Sequence, residues 1–425
     1  MTELIKSLLE EAGIRQWRIT ETREHCAELY FIRKKLDIPR SRDITKYTVS
    51  VFRDFEEDGR RFLGSSNALL SPGMTADEIL ARLKSADFAA QFVKNPWYEF
   101  VAPIQEAPQA STSPLKESKP EETAARIAEI MFSADTAEDA FLNSVEIFVS
   151  RGMTHILGSD GLDVSYGYDR AKGELVAQCV TPADVEQYRD FGYDRIDEDA
   201  IRALVTDAIA DVRARAVAKE PPVSGTYPLL LQGKHIAEIL RYYITRSHAS
   251  LVFPGYSDWK PGTAVQGEDV TGESLSIRLL SRVPYSAEGI PLPPRDLVEN
   301  GSLKLLHGGT RFCRYAQVEP TGDYESVACL NGTIPLADLR REGVLEPVSF
   351  SDFQMDPMDG HFKGEIRLAF LHHADGTCEK LTGGSVNGSL PDLQKSLTFS
   401  LERYADLDYE GPLAILIPGV AVAGK

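Results

Sequence analysis

The chain has 425 residues, 43% hydrophobic and 26% charged, with a formal net charge of −18. That length gives room for two or three domains and rules out a small disulfide-stapled scaffold. An acidic balance also opposes nucleic-acid binding, which draws its affinity from Lys and Arg displacing counterions. Five widely spaced cysteines without a C-x-x-C pair signal neither a disulfide framework nor a zinc knuckle, and point to a reducing compartment.

In chain order, Met1 to Glu11 reads as the opening turns of an amphipathic helix and lacks the apolar core of a signal peptide. Strands follow, with Thr45, Tyr47, Val49 and Val51 alternating with polar neighbours. Thr75-Ala-Asp-Glu78 is a capping box opening a helix whose apolar face is Ile79, Leu80, Leu83 and Phe88. A basic stretch, Arg33-Lys34-Lys35 through Arg40, Arg42 and Lys46, is read either as an anion or nucleic-acid contact or as charge that keeps an edge strand from aggregating.

Prolines at 103, 108, 114 and 120 among small polar residues mark a linker or loop at about 103–121. A short helix over 121–134 comes next. Val145–Val149, His155–Leu157, Leu162–Tyr168 and Glu174–Val180 are expected as separate strands joined by glycine-containing turns. Apolar residues at Ile201, Leu204, Val205, Ala208, Ile209 and Val212 predict a helix over 197–218, ended by Pro221-Pro222. Domains of 1–222 and 223–425 are therefore expected.

Leu229-Leu-Leu231 reads as a short buried strand leading into a helix over 234–245. Ala374-Asp-Gly376 predicts a hairpin, and Ser389 is expected to cap a helix through Leu393, Leu397 and Leu401. The longest uncharged apolar run, Leu413–Gly424, is too short to span a membrane. The expectation is a cytoplasmic α+β protein in two lobes: an N-terminal α/β-type sheet-and-helix lobe and a β-rich C-terminal lobe.

Motifs for nucleotide hydrolysis, dinucleotide binding and serine hydrolysis are absent. His235-Ile-Ala-Glu238 puts an imidazole and a carboxylate on one helical face, as a catalytic or metal pair or as a solvated polar face. It is no zincin motif, because the next histidine is His248. His372 and His373 point to opposite sides of a strand and are expected to be solvated. Asp356-Pro-Met-Asp359-Gly-His361 reads as a turn lacking the ligand count of a calcium loop.

Three segments in this order resemble the TldD/PmbA family, labelled modulators of DNA gyrase and grouped with metallopeptidases. They are Ser159–Ser165; Phe353–Phe362 with the later Gly383–Leu393; and Pro418–Gly424. The resemblance implies dimers around an internal cavity and, in the active branch, a zinc site formed by a helix bearing His-Glu-x-x-x-His and a Cys near the C-terminus. Laid on that pattern, this chain has Arg241, Tyr242 and Arg246 at the motif positions, and no Cys after Cys378. A guanidinium has no lone pair to offer a metal. The pattern thus resembles the PmbA (TldE) branch, which lacks the motif and partners the metal-bearing subunit, so no zinc or other cofactor is expected.

Two readings of those arginines stand open: cations that balance acids or hold a peptide carboxylate, and surface residues on a helix packed through Ile236, Ile239, Leu240 and Tyr243. The leading expectation is a non-catalytic or regulatory subunit that binds an extended peptide for a proteolytic partner, as a homodimer or as a heterodimer with a TldD-like homologue. The alternatives are an active zinc metallopeptidase with unconventional ligands drawn from His235, Glu238, His248, His307 and His361, and a gyrase- or nucleic-acid-associated protein.

Overall fold

The computed structural model describes all residues, 1–425. Its first lobe contains, in order, α1 (Thr2–Glu11), β1 (Gln16–Ile32), β2 (Lys35–Glu57), β3 (Arg60–Leu70), α2 (Ala76–Ala90), α3 (Pro120–Ala134), β4 (Ala140–Gly158), β5 (Asp163–Cys179), β6 (Val185–Tyr193) and α4 (Glu198–Val217). The strands form one antiparallel sheet in the order β3-β2-β1-β4-β5-β6. Side chains of a strand alternate between its faces. Val145, Ile147, Val149 and Leu157 of β4 therefore point to the helices, with α3 and α4 covering one end of the sheet and α1 and α2 the other. Ile156 points the opposite way and packs with Tyr285 of the second lobe.

Local chemistry starts the helices where the sequence places them. Thr75 and Glu78 form the reciprocal capping box of α2, and the Asp197 carboxylate accepts the Ala200 amide at the start of α4. The segments expected as four separate strands are corrected in part: β4 and β5 are each continuous, with Gly152 and Gly173 inside them, while the expected turn containing Gly161 does join the two. Gly152 sits opposite Tyr168, whose ring occupies the space where a Cβ would be; Gly173 is covered in the same way by Phe191 of β6. These two glycines serve close aromatic packing instead of reversing the chain.

The proline-rich stretch is tied to the edge of β5. The Glu106 and Gln109 amides donate to the Asp163 and Ser165 carbonyls, and Asp163 and Gly167 return bonds to Ile104 and Gln109. A 3₁₀ turn over Pro114–Glu117 then leads into α3.

The second lobe runs β7 (Gly225–Gln232), α5 (Lys234–Arg246), α6 (Ala249–Val252), β8 (Ile277–Leu280), β9 (Arg295–Glu299), β10 (Ser302–Leu303), α7 (Thr310–Tyr315), β11 (Ser326–Cys329), α8 (Leu336–Leu339), β12 (Leu345–Met355), β13 (His361–His372), β14 (Cys378–Leu381), β15 (Ser385–Ser389), α9 (Leu390–Leu393), β16 (Thr398–Phe399), β17 (Arg403–Ala405), β18 (Tyr409–Pro412) and β19 (Ala414–Ala423). Strands β12, β7, β19, β15 and β13 pair in sequence, and β12 also pairs with β13, closing a five-stranded ring. A second sheet has the order β10-β9-β8-β11-β18-β17.

Leu229 and Leu231 of β7 face the core beneath α5, while Leu230 joins Leu339 and Leu416 on the other face. Burial on both faces explains the unbroken apolar run. The helix expected through Leu401 is corrected. Only one turn forms, a 3₁₀ turn over Gln394–Ser396 follows, and the chain then extends so that Phe399 pairs with Ile415 of β19. Spacing of apolar residues alone did not separate a helix from a turn followed by a buried strand.

Candidate functional site

Helix α5 starts directly after β7, with Gly233 at φ 57° making the turn between them. Its apolar face, Ile236, Ile239, Leu240 and Tyr243, is fully buried. Tyr242 is also buried, with its ring 5.7 Å from Trp259, and burial raises its phenol pKa. Gly360, at φ 81°, brings the turn before β13 against that ring; a Cβ there would lie 3.1 Å from it. Arg241 is exposed and pairs with Glu238 at 3.0 Å. Arg246 donates to the Tyr256 carbonyl at 2.6 Å and pairs with Asp258 at 3.1 Å, with its guanidinium over Trp259.

The histidines are held elsewhere. The His235 ring stands edge-on to Phe350 and Phe353, with Nδ1 3.1 Å from the Gln232 carbonyl, and burial pulls its pKa down to about 4. An isolated parallel bridge between His248 and His307 brings the two together, with ring centroids 4.9 Å apart. The Ser250 amide donates to His248 Nδ1 at 3.2 Å, which leaves Nε2 as the donor to Asp323 at 3.0 Å. His307 Nε2 lies 2.8 Å from the Ile244 carbonyl, Nδ1 has no partner, and burial takes its pKa to about 4. The bond from His248 holds the Asp323 carboxyl below its usual range. His361 is exposed beside Asp359 at 3.2 Å.

Thus His248 and His307 meet, Glu238 meets Arg241, and His235 and His361 stand apart. No group of three or more His, Cys, Asp or Glu side chains is arranged to hold a metal ion. The residues expected at the motif positions are two protonated guanidiniums, Arg241 and Arg246, and a tyrosine packed under Gly360. This set does not fit zinc, which takes His, Cys or carboxylate ligands.

Asp323, Asp258 and Trp259 were not singled out in the sequence, because each meets its partner through loops rather than through a short motif. His372 is corrected as well: instead of being solvated, it lies 2.6 Å from the buried Glu346 carboxylate. Burial pushes the Glu346 pKa up, but the bonds from His372 and Arg340 bring it below the usual carboxylate value. The basic stretch is largely spent inside the chain. Arg40 and Arg42 pair with the buried Glu28 at 2.8 and 3.3 Å, and Arg33 stacks over Phe141.

The segments that carry the family resemblance in the second lobe assemble around α5. Phe353 touches His235, Gly360 touches Tyr242, the Leu390 amide donates to the Gly360 carbonyl, and β19 pairs with both β15 and β7. Fold and site together define a two-lobed α+β protein in which a helix packed on a strand ring meets a glycine-containing turn. Residues 224–424 match the PmbA/TldA metallopeptidase C-terminal domain. The whole chain is similar in structure to TldE from Thermococcus kodakarensis, with a TM-score of 0.77, 17% identity, and 99% of this chain and 100% of that one covered. It is also similar to a Thermotoga maritima protein described as a candidate modulator of a DNA gyrase, with a TM-score of 0.76, 16% identity, and 99% and 100% covered. A Bacteroides thetaiotaomicron protein described in the same way gives 0.74, 15% identity, and 100% and 99% covered. No curated protein matches the sequence. The second lobe thus carries the C-terminal domain of the PmbA/TldA metallopeptidase family, and the whole chain has the fold of these structures. No helix is long and apolar enough to cross a membrane.

Proposed function

We propose that this chain is a non-catalytic subunit that binds an extended peptide for a metal-bearing TldD-like homologue. The observation that carries this reading is the occupation of the motif positions on α5: Arg241 is paired with Glu238, Tyr242 is packed into the core, and Arg246 is paired with Asp258. None of the three can coordinate zinc at neutral pH. Peptide capture on a β-rich lobe is consistent with main-chain strand pairing, which needs no catalytic group. A cytoplasmic setting and a dimeric assembly are part of the same proposal.

The test is elemental analysis of untagged protein purified without chelator and then offered excess zinc, together with co-purification against a homologue bearing His-Glu-x-x-x-His. Absence of zinc and a stable complex with the homologue are expected. One zinc per chain, with chelator-sensitive peptidase activity lost in His248→Ala, would overturn the reading in favour of an enzyme with unconventional ligands.

A further inference from the structure

Between the lobes lies a cavity of about 580 Å³, within the range of small-ligand sites. Tyr166, Tyr168, Arg170 and Lys172, alternate residues of β5, contribute to its lining on the first lobe. The second lobe contributes Glu325 and Asp408 among others. Several charges at the cleft already have partners: Arg282 pairs with Asp194 at 3.1 Å and Glu410 at 2.9 Å, and Asp169 pairs with Arg151 at 2.6 Å.

The charges left over are sorted by lobe. On the first, Lys172 makes no ion pair, and Arg195 reaches only Asp194, at 3.5 Å, which is already committed to Arg282. On the second, neither Glu325 nor Asp408 has a cationic partner, although Glu325 accepts the Arg282 amide at 3.2 Å. Cations without firm partners therefore line one wall and anions without them the other. The floor also carries a free main-chain edge. The proline-rich segment's last bond to β5 is at Gly167 and β6 begins pairing at Ala171, so Asp169 has no strand neighbour on that side.

We propose that this cleft binds a short free peptide, its terminal carboxylate held by Lys172 and Arg195 of the first lobe and its terminal ammonium by Glu325 and Asp408 of the second, with its backbone beside Asp169. A zwitterion satisfies both walls at once, whereas a simple anion or cation leaves one wall unpaired. The choice of a peptide among zwitterions rests on the peptide-binding reading above; the charge arrangement does not. Short peptides are the class of product that a proteolytic partner would release, so occupancy would report product to the complex and bridge the two lobes.

The test is calorimetric titration of the full chain with Ala-Ala-Ala and with its C-terminal amide and N-acetyl forms. The free tripeptide is expected to bind, and each cap to weaken binding at least about tenfold. Lys172→Ala with Arg195→Ala should weaken the free tripeptide similarly and erase the effect of the amide; Glu325→Gln with Asp408→Asn should erase the effect of acetylation. No binding of the tripeptide at about 10 mM, a level corresponding to very weak affinity, would overturn the proposal. So would indifference to both caps, or equally tight binding of alanine or acetate. The caps act on the unaltered protein, so a variant that misfolds does not decide the outcome. Zinc content and partner binding are read in separate experiments, so failure here is distinguishable from failure of the subunit reading.

Discussion

Gly152 and Tyr168 face each other across β4 and β5, with the tyrosine ring filling the place of the missing glycine side chain and its hydroxyl donating to Glu24 at 2.7 Å. The glycine lets the ring lie flat against the sheet, and the ring in turn forms part of the cleft floor. Gly152→Ala must push Tyr168 aside and break the bond to Glu24. A loss of about 1–3 kcal/mol is expected, the usual range for overpacking. Chemical denaturation of Gly152→Ala, Tyr168→Ala and the double variant checks it. The double variant should be less destabilised than the sum of the two, because with the ring gone the methyl has nothing to displace. Strict additivity would show that the two do not interact.

This pair also shows where the sequence was legible. Long periodic helices such as α4 and the start of α5 were readable because periodicity and caps are local. Gly152 and Gly173 look like turn residues in the sequence because the aromatic rings that need them lie on other strands or far along the chain, out of reach of any local pattern. His372 looks solvent-facing in the sequence for the same reason, its partner Glu346 being on β12. At the site, the strand-helix unit and the turn at Gly360 were visible in order along the chain. The burial of Tyr242 was not, because the Trp259 that covers it comes from a loop after the helix.

Glu346 is 1% exposed and binds Arg340 through two bonds of 2.8 and 3.0 Å, His372 through one of 2.6 Å, and the Gln232 amide. Removing the carboxylate strands His372 in particular, which is far less exposed than Arg340. Glu346→Ala is expected to cost about 3 kcal/mol in urea unfolding, near the lower end for breaking a buried charged pair. Glu346→Gln should cost less, since it keeps the shape and part of the bonding. Equal and small effects of both would mean the cluster is solvated in solution.

The buried His307 and the half-buried His235 set a pH dependence. His235 and His307 have folded values near 4, below the ordinary imidazole value of 6.5, through burial. The unfolded chain then binds more protons than the folded one between those values, so stability rises with pH there. It is fully present above about 6.5 and is lost as pH falls toward 4. Each residue contributes on the order of 3 kcal/mol across the window. His25 works against this: bonds to Asp43 and Glu121 raise its value, so its smaller, solvent-screened contribution is present at low pH and is lost as pH rises through that raised value. The net expectation is lower denaturation midpoints at pH 5 than at pH 7, with a shallower dependence in His235→Gln. An unchanged slope in that variant would show that His235 is solvated.

Tyr242, the residue that the proposed reading sets at the general-base position, is the sharpest place to ask whether the site is degenerate. Tyr242 is 7% exposed against Trp259 and Gly360. A carboxylate put there would be buried, and the acids nearest the tyrosine, Asp258 and Asp359, would repel it, with Arg246 the only nearby cation acting on it. Arg246 is already paired with Asp258. Tyr242→Glu is therefore expected to destabilise by several kcal/mol at pH 7, the cost of burying an ionised group without a free partner. Tyr242→Phe should stay within about 1 kcal/mol, since the hydroxyl makes no bond to another side chain or to the backbone. Unfolding of the two variants followed with and without excess zinc separates the possibilities. If zinc restored Tyr242→Glu to wild-type stability, the neighbouring residues would have kept a metal-binding geometry, and the loss of the motif would be a change of side chains alone. If zinc has no effect, the repacking of Tyr242 under Gly360 has closed the site.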